Sequence, residues 1–415
     1  MEETNVRTGS LAPLYVKEYR FFIIARFFYI MALRMVGTVA AYQLFQLTNS
    51  SLAIGFLGLS EFIPVFSLAL YAGYVIDRSD KRTMLVRGIF SYSICVVAML
   101  VITMPSVMER MGRGWIEMAF YAVIFLTGVI RAFAGPTSHA IIAQLVPRNI
   151  LHLAANISST TWLSASILGH ASAGFFIAWF GVHATFYIIL FYILLAAFVT
   201  SLIAKKPVVQ TKTDVRAWDS VKEGLTYVFN NKVLLGAISL DLFAVLFGGI
   251  TALIPEFAEK ILRVGPIGFG WLNAAIDIGA AIMIVFMTIR PLRRRQGTIL
   301  LYAVAGFGLC ILTFGFSDIY WISFAALLVA GMLDGISVIV RGTILQLTTP
   351  DEMRGRVSSV NSMFVNSSNE LGQFESGVAA RLLGVVPSVI FGGCMTLLVV
   401  IITWFKAPGI RKFEY

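Results

Sequence analysis

Charge is what this sequence has least of. Only 13% of its 415 residues are Asp, Glu, Lys or Arg, against about a quarter in a soluble domain, which excludes a chain whose whole surface faces water. Cysteine is scarce as well. Cys95, Cys310 and Cys394 form no close pair and no metal-ligand spacing, and each sits in an apolar stretch, so they read as packing residues. A glycine-rich phosphate-binding loop is missing, which removes an ATP-driven pump, and Ser and Asn form no nucleophile constellation. No enzymatic activity, cofactor or bound metal is expected. What fills the chain is apolar: 58% of residues are hydrophobic and the mean hydropathy is +0.84.

Apolar stretches long enough to cross a bilayer, roughly 20 residues each, recur throughout. Twelve spans are expected, at 20–47, 52–76, 83–104, 115–146, 150–179, 183–204, 232–258, 267–290, 298–316, 320–348, 354–384 and 387–406. In lipid each backbone amide must be bonded within its own segment or in a closed sheet, and runs of this length without strand-like alternation indicate helices. The fold class is therefore all-α integral membrane. The polar start MEETNVRTGS gives no sign of a cleavable signal peptide ahead of the first span.

Loops rich in Lys and Arg stay in the cytoplasm. One set of loops carries Arg78, Lys81 and Arg82; Arg148; Lys205, Lys206, Lys212, Arg216 and Lys222; Arg293, Arg294 and Arg295; and Arg354 and Arg356. The alternate set has only Arg110, Arg113, Lys260 and Arg263. Both termini are thus expected in the cytoplasm, with the protein in the inner (plasma) membrane. The net charge of +10 is explained by these topology charges, so no nucleic-acid partner is expected.

The longest polar interruption, 205–231, separates residues 1–204 from 232–415, six spans on each side. Within it AWDSVKEGLTYVF places Trp218, Val221, Leu225, Val228 and Phe229 on one stripe of an expected amphipathic helix. An internal repeat relates the two halves. Gly128 and Gly331, Pro147 and Pro350, Gly169 and Gly372, Gly174 and Gly377, and Gly181 and Gly384 are each separated by 203 residues. Six spans lie between the copies, so the repeats share one topology, and two bundles related by an axis along the membrane normal should enclose a cavity.

GYVIDRSDKR, from Gly73 to Arg82, resembles the signature of the major facilitator superfamily, with Gly73, Asp77, Arg78, Lys81 and Arg82 on the motif and Asp80 where the pattern more often has Gly. The stretch from ARFFYIMALRM to DRSDKRTML, and residues 354–384, resemble the exporter subfamily that includes enterobactin exporters and macrolide efflux proteins. The resemblance implies two pseudo-symmetric six-helix bundles and export of a small organic molecule, usually by proton exchange, by a monomer in the lipid bilayer. It also implies that Asp77 latches onto a neighbouring helix at the inward gate. Movement of a lysolipid or a metal ion by the same fold, or a non-transporting membrane receptor, are the alternatives.

Arg131 and Gly135 fit the superfamily pattern on the fourth span, and Ala165–Gly174 (ASILGHASAG) resembles the antiporter motif, with His170 in place of its Pro. Arg131 serves either as a structural cation or in coupling and substrate attraction; its repeat mate Asp334 is expected to face it across the cavity. His170 is either a polar interhelical contact or a proton carrier, with Gln373 at its repeat position. Spans one, four, seven and ten line the cavity in this superfamily, which selects Arg34, Arg131, Asp241, Asp334 and Arg341. Asp334 and Arg341 share a helix face and form a candidate pair. Asp241 and Asp334 are the first candidates to carry a proton. Glu61, Asp277, Glu370 and Gln373 complete the intramembrane polar set, at an interface or as proton carriers.

Overall fold

The computed structural model of the protein describes residues 9–206, 217–290, 292 and 294–414. The long helices are α1 (Lys17–Thr48), α2 (Ser51–Asp77), α3 (Lys81–Ile102), α4 (Arg113–Leu145), α5 and α6 as the two parts of Leu151–Ser201, α7 (Lys232–Gly248), α8 (Pro266–Ile289), α9 (Gln296–Phe316), α10 (Tyr320–Thr348), α11 (Arg354–Leu383) and α12 (Val385–Lys406). Ten helical stretches among the described residues are long and apolar enough to cross a membrane. One of these, Arg148–Ser201, holds two spans folded back at Gly181. α11 is not among the ten, because the Ser, Asn, Glu and Gln residues along it offset its apolar ones. Twelve membrane helices result.

Gly181 (φ 79°, ψ 171°) and Gly384 (φ 92°, ψ 161°) are the two glycines at positive φ among the described residues. Each turns one helix into the next, α5 into α6 and α11 into α12, in a backbone region essentially reserved for glycine. The other repeat positions are equally matched. Gly128 packs α4 against α2 at Glu61 and Pro64, and Gly331 packs α10 against α8 at Ile276. Gly169 meets α1 at Met31 and Arg34, and Gly372 meets α7 at Val245 and Leu246. Pro147 and Pro350 each start a 3-10 turn ahead of the following helix. The two six-helix bundles are thus built by the same close contacts.

The bundles meet along α2–α11 and α5–α8. Gly174 lies against Pro266 and Gly270, and Gly377 against Ser51 and Gly55, so backbone touches backbone at both crossings. These contacts belong to the end poor in basic residues, called the outer end here. α1, α4, α7 and α10 pack chiefly within their own bundles.

Two expectations need correction. The regular helix of the seventh span stops at Gly248, within a span that runs Lys232–Ala252 rather than to 258: beyond Gly249 the chain runs on as 3-10, α and π turns through Ile261, because a Gly pair and Pro255 interrupt regular helix bonding. Ala252 from this segment is buried in the first bundle's core. In the amphipathic helix Ala217–Asn230, Val221, Gly224 and Val228 are buried, but Phe229 is exposed, since it lies one residue off the i, i+3, i+7 stripe. The side chain of Trp218, and Lys212, Arg216 and Arg293, lie outside the described residues. Gly224 sits on the Arg356 carbonyl, Arg356 pairs with Glu223, and Tyr227 donates to the Thr348 carbonyl, which fixes this helix under the second bundle.

Candidate functional site

Arg34, Glu61, Arg131, His170, Asp241, Asp277, Asp334 and Glu370 all fall near the middle of their helices, at the depth where an ionised side chain costs about 2.5–3.5 kcal/mol on insertion scales. Such groups persist only with partners or water, and the structure shows which has which.

The α2–α4 crossing at Gly128 brings Arg131, one turn along, onto Glu61, with which it forms an ion pair. Glu370 of the other bundle places Oε1 3.8 Å from the same guanidinium and accepts from Gln373 Nε2 at 3.1 Å. Arg131 is therefore held between two carboxylates from α2 and α11, and Asp334 is not among its partners. Gln373 also packs against Gly58, so the α11 polar stripe forms the contact between bundles.

His170 occupies the α1–α5–α8 junction. α5 continues through it without a break, since His, unlike Pro, leaves the helix bonding intact. Its Nδ1 is 2.7 Å from Thr38 Oγ1, which donates to the Arg34 carbonyl at 2.9 Å. With the Thr38 proton so committed, Nδ1 is the donor in this pair. Nε2 faces Asp277 Oδ2 at 3.8 Å, and the same oxygen accepts from Ser166 Oγ at 2.5 Å. Asp277 thus links the two bundles at mid-depth.

In the second bundle, Arg341 pairs with Asp241 at 2.6 Å, with side-chain exposures of 10% and 5%, and its Nε donates to Ser337 Oγ at 3.1 Å. The sequence spacing favours Asp334 as the partner of Arg341; the structure gives that place to Asp241, because α7 lies closer to the inner turns of α10 than a residue two turns away can reach. Asp334 has no hydrogen-bond or ion-pair partner among the described residues.

Bonds at the outer end were not foreseen. Ser51 Oγ donates to Glu256 Oε2 at 2.5 Å and Gln46 Nε2 to Glu259 Oε2 at 2.5 Å. Lys260 pairs with Glu256 at 2.8 Å and stands 5.5 Å over the Phe45 ring; Tyr42 and Phe269 rings lie 5.7 Å apart. Glu256 falls within the expected seventh span, 232–258, while Glu259 and Lys260 fall just beyond it, and nothing local in the sequence names their partners.

In the motif loop between α2 and α3, the described side chains bond within the first bundle. The Asp77 side chain lies outside the described residues, Gly73 faces open space, and Arg78 stacks on Tyr74 at 3.9 Å. Lys81 is buried, and Arg82 donates to the Ile203 carbonyl at 2.9 Å and to that of Ser201, so it binds the end of α6 in its own bundle. Asp80, the departure from the pattern, caps α3, accepting from Arg82 N at 3.2 Å, Thr83 N at 3.3 Å and Thr83 Oγ1 at 2.5 Å. Partial burial pushes its carboxyl up, but the Thr83 hydroxyl and the amides of Lys206, Arg82 and Thr83 outweigh it, and the group lies below its ordinary value. The Asp followed by a helical run was a readable capping signal. Lys206 also pairs with Glu18, tying α1 to α6.

The model of the Major Facilitator Superfamily matches residues 22–373. An uncharacterized MFS-type transporter YfiS of Bacillus subtilis (strain 168) is 26% identical over 390 residues, covering 89% of this chain and 87% of that protein. The enterobactin exporter EntS of Escherichia coli O157:H7 is 23% identical over 408 residues, covering 95% and 93%. Among solved structures, a point mutant of the nucleoside transporter NupG superposes with a TM-score of 0.76 at 12% identity, covering 94% of this chain and 100% of that one. A D-xylose–proton symporter does so with 0.75 at 14%, covering 97% and 100%.

Proposed function

The chain belongs to the major facilitator superfamily, and from that premise we propose that it exports small amphipathic organic molecules, drug- or siderophore-like, in exchange for protons. The observation that carries the reading is the contrast at mid-depth. Arg131 and Arg341 are neutralised by bonded carboxylates, while Asp334 has no bonded cation among the described residues, which suits it to take up and release a proton. Export is supported by the similarity to an enterobactin exporter along almost the whole chain.

In the proposed cycle, the arrangement described above is the inward-open state. Ser51–Glu256, Gln46–Glu259 and the glycine crossings hold the outer end shut, and the central groups are reached from the basic, cytoplasmic end. Bundles 1–204 and 232–415 move as bodies, with 205–231 as the link between them and both termini in the cytoplasm. Opening outward separates Asp277 from Ser166 and His170, and Glu370 from Arg131, at the surfaces that slide. Asp334 takes a proton from outside and gives it up inside as substrate leaves in the opposite sense. The protein works as a monomer in the inner membrane.

The test is efflux and uptake of dyes, antibiotics and siderophores in proteoliposomes with an imposed pH gradient. Flux that follows the gradient and collapses with a protonophore is expected; flux indifferent to the gradient would overturn proton exchange.

A further inference from the structure

Arg34 is a mid-depth cation with no bonded counter-charge among the described residues. Its guanidinium stands 5.0 Å from the Trp162 ring centroid, and its Cβ packs on Gly169 of α5, beside the Met31 carbonyl. Nε is shielded from solvent and has no hydrogen-bond partner, and the side chain makes no ion pair among the described residues. The charged and titratable groups around it are His170, Arg131, Glu370 and Tyr92, each near enough to feel its charge and none bonded to it. Glu370 is turned instead toward Arg131 and Gln373, and Asp277 accepts from Ser166.

Geometry then decides what this group can take. An arginine has an apolar face and a rim of in-plane donors. Here the indole meets the guanidinium, and the donor rim is left without acceptors. A planar oxyanion is the complement of such a rim, because two of its oxygens accept two parallel N–H bonds. The position agrees: Glu370 of the other bundle lies within reach of the Arg34 charge, and Trp162 lies on α5 toward the basic end from Gly169.

We propose that Arg34 and Trp162 form an anion subsite of the transport pathway, which takes a carboxylate group of the transported molecule. The assignment rests on the transporter reading but not on proton exchange. Arg131 is excluded from this role by its bonded Glu61, and Arg341 by Asp241. The cost of an unpaired cation at mid-depth selects for substrates that bring the missing charge.

The experiment measures binding of 2-naphthoate and of its uncharged amide to the full chain in phosphatidylcholine nanodiscs. The wild type should prefer the carboxylate by roughly tenfold to a hundredfold, the range of a hydrogen bond to a charged group. Arg34→Gln should erase that preference and leave the amide's affinity in place. Arg34→Lys, which keeps the charge and loses the fork, should retain part of it, and serves if the glutamine variant does not fold. Trp162→Leu should weaken both ligands. Equal affinity for the two ligands in the wild type, or an undiminished preference in Arg34→Gln, overturns the assignment. A carboxylate preference that depends on Arg34 in a protein whose flux ignores the pH gradient would leave the subsite standing and remove only proton exchange.

Discussion

Asp241→Asn separates two roles that an intramembrane carboxylate can have. Asp241 and Arg341 are 2.6 Å apart with only 5% and 10% of their side chains exposed. At that distance two unit charges attract by about 6 kcal/mol at an effective dielectric constant of 20, and this offsets a desolvation cost of several kcal/mol per ion. Removing the negative charge alone leaves a buried guanidinium with only neutral acceptors, the asparagine amide oxygen and Ser337 Oγ, which costs about 3–5 kcal/mol. If a bundle of about 200 residues unfolds as a unit, that is a fall of roughly 6–20 °C in apparent Tm. Replacing both, as Asp241→Leu with Arg341→Met, removes the charges together and should lie within about 1 kcal/mol of the wild type or above it. The assay is thermal unfolding of the wild type, both single variants and the double variant in one detergent. A single variant as stable as the wild type, or a double variant that loses the sum of both, would refute the reasoning. Intact stability with lost pH coupling in Asp241→Asn would return that residue to proton carriage.

Asp334→Asn should behave oppositely, with folded yield and Tm retained and pH-driven flux reduced to that of protein-free liposomes; flux like the wild type would remove Asp334 from the cycle. Asp80→Ala removes the α3 cap and should cost about 1 kcal/mol at neutral pH. Because the folded carboxyl lies below its ordinary value, this contribution is complete above the unfolded carboxylate value of about 3.9 and is lost as pH falls through the lower folded value. Variant and wild type should therefore converge in acid unfolding, and a difference that grows on acidification would refute the cap. Gly377→Leu puts a side chain where the backbones of Ser51 and Gly55 lie; it should part the outer ends and raise labelling of Tyr42→Cys by an impermeant maleimide, and unchanged labelling would argue against a closed outer end.

Much of the fold was legible from residues alone. Twelve apolar stretches and the 203-residue offset specify two like bundles, since spanning length and backbone satisfaction leave few alternatives. The repeat glycines were legible for a local reason: Gly181 and Gly384 occupy a φ that other residues avoid, and Gly169 and Gly372 sit where helix axes come close. The candidate site was legible in its membership. Charges in apolar spans stand out, and most of those singled out do converge at mid-depth. Thr38, Trp162 and Ser166 did not stand out, because a hydroxyl or an indole in a membrane helix is ordinary until something lies opposite it.

Pairing was the part that sequence could not supply. Asp334 and Arg341 share a face seven residues apart, yet Arg341 belongs to Asp241, 100 positions away; Arg131 meets Glu61 and Glu370, and leaves its repeat mate alone. Composition and periodicity determine that this chain lies in a membrane as two related six-helix bundles with a few costly charges at their centre. Which of those charges are neutralised, and hence that Arg34 and Asp334 are left without bonded partners among the described residues, was decided only by the tertiary structure, because ion pairing depends on the rotation and spacing of helices remote in sequence.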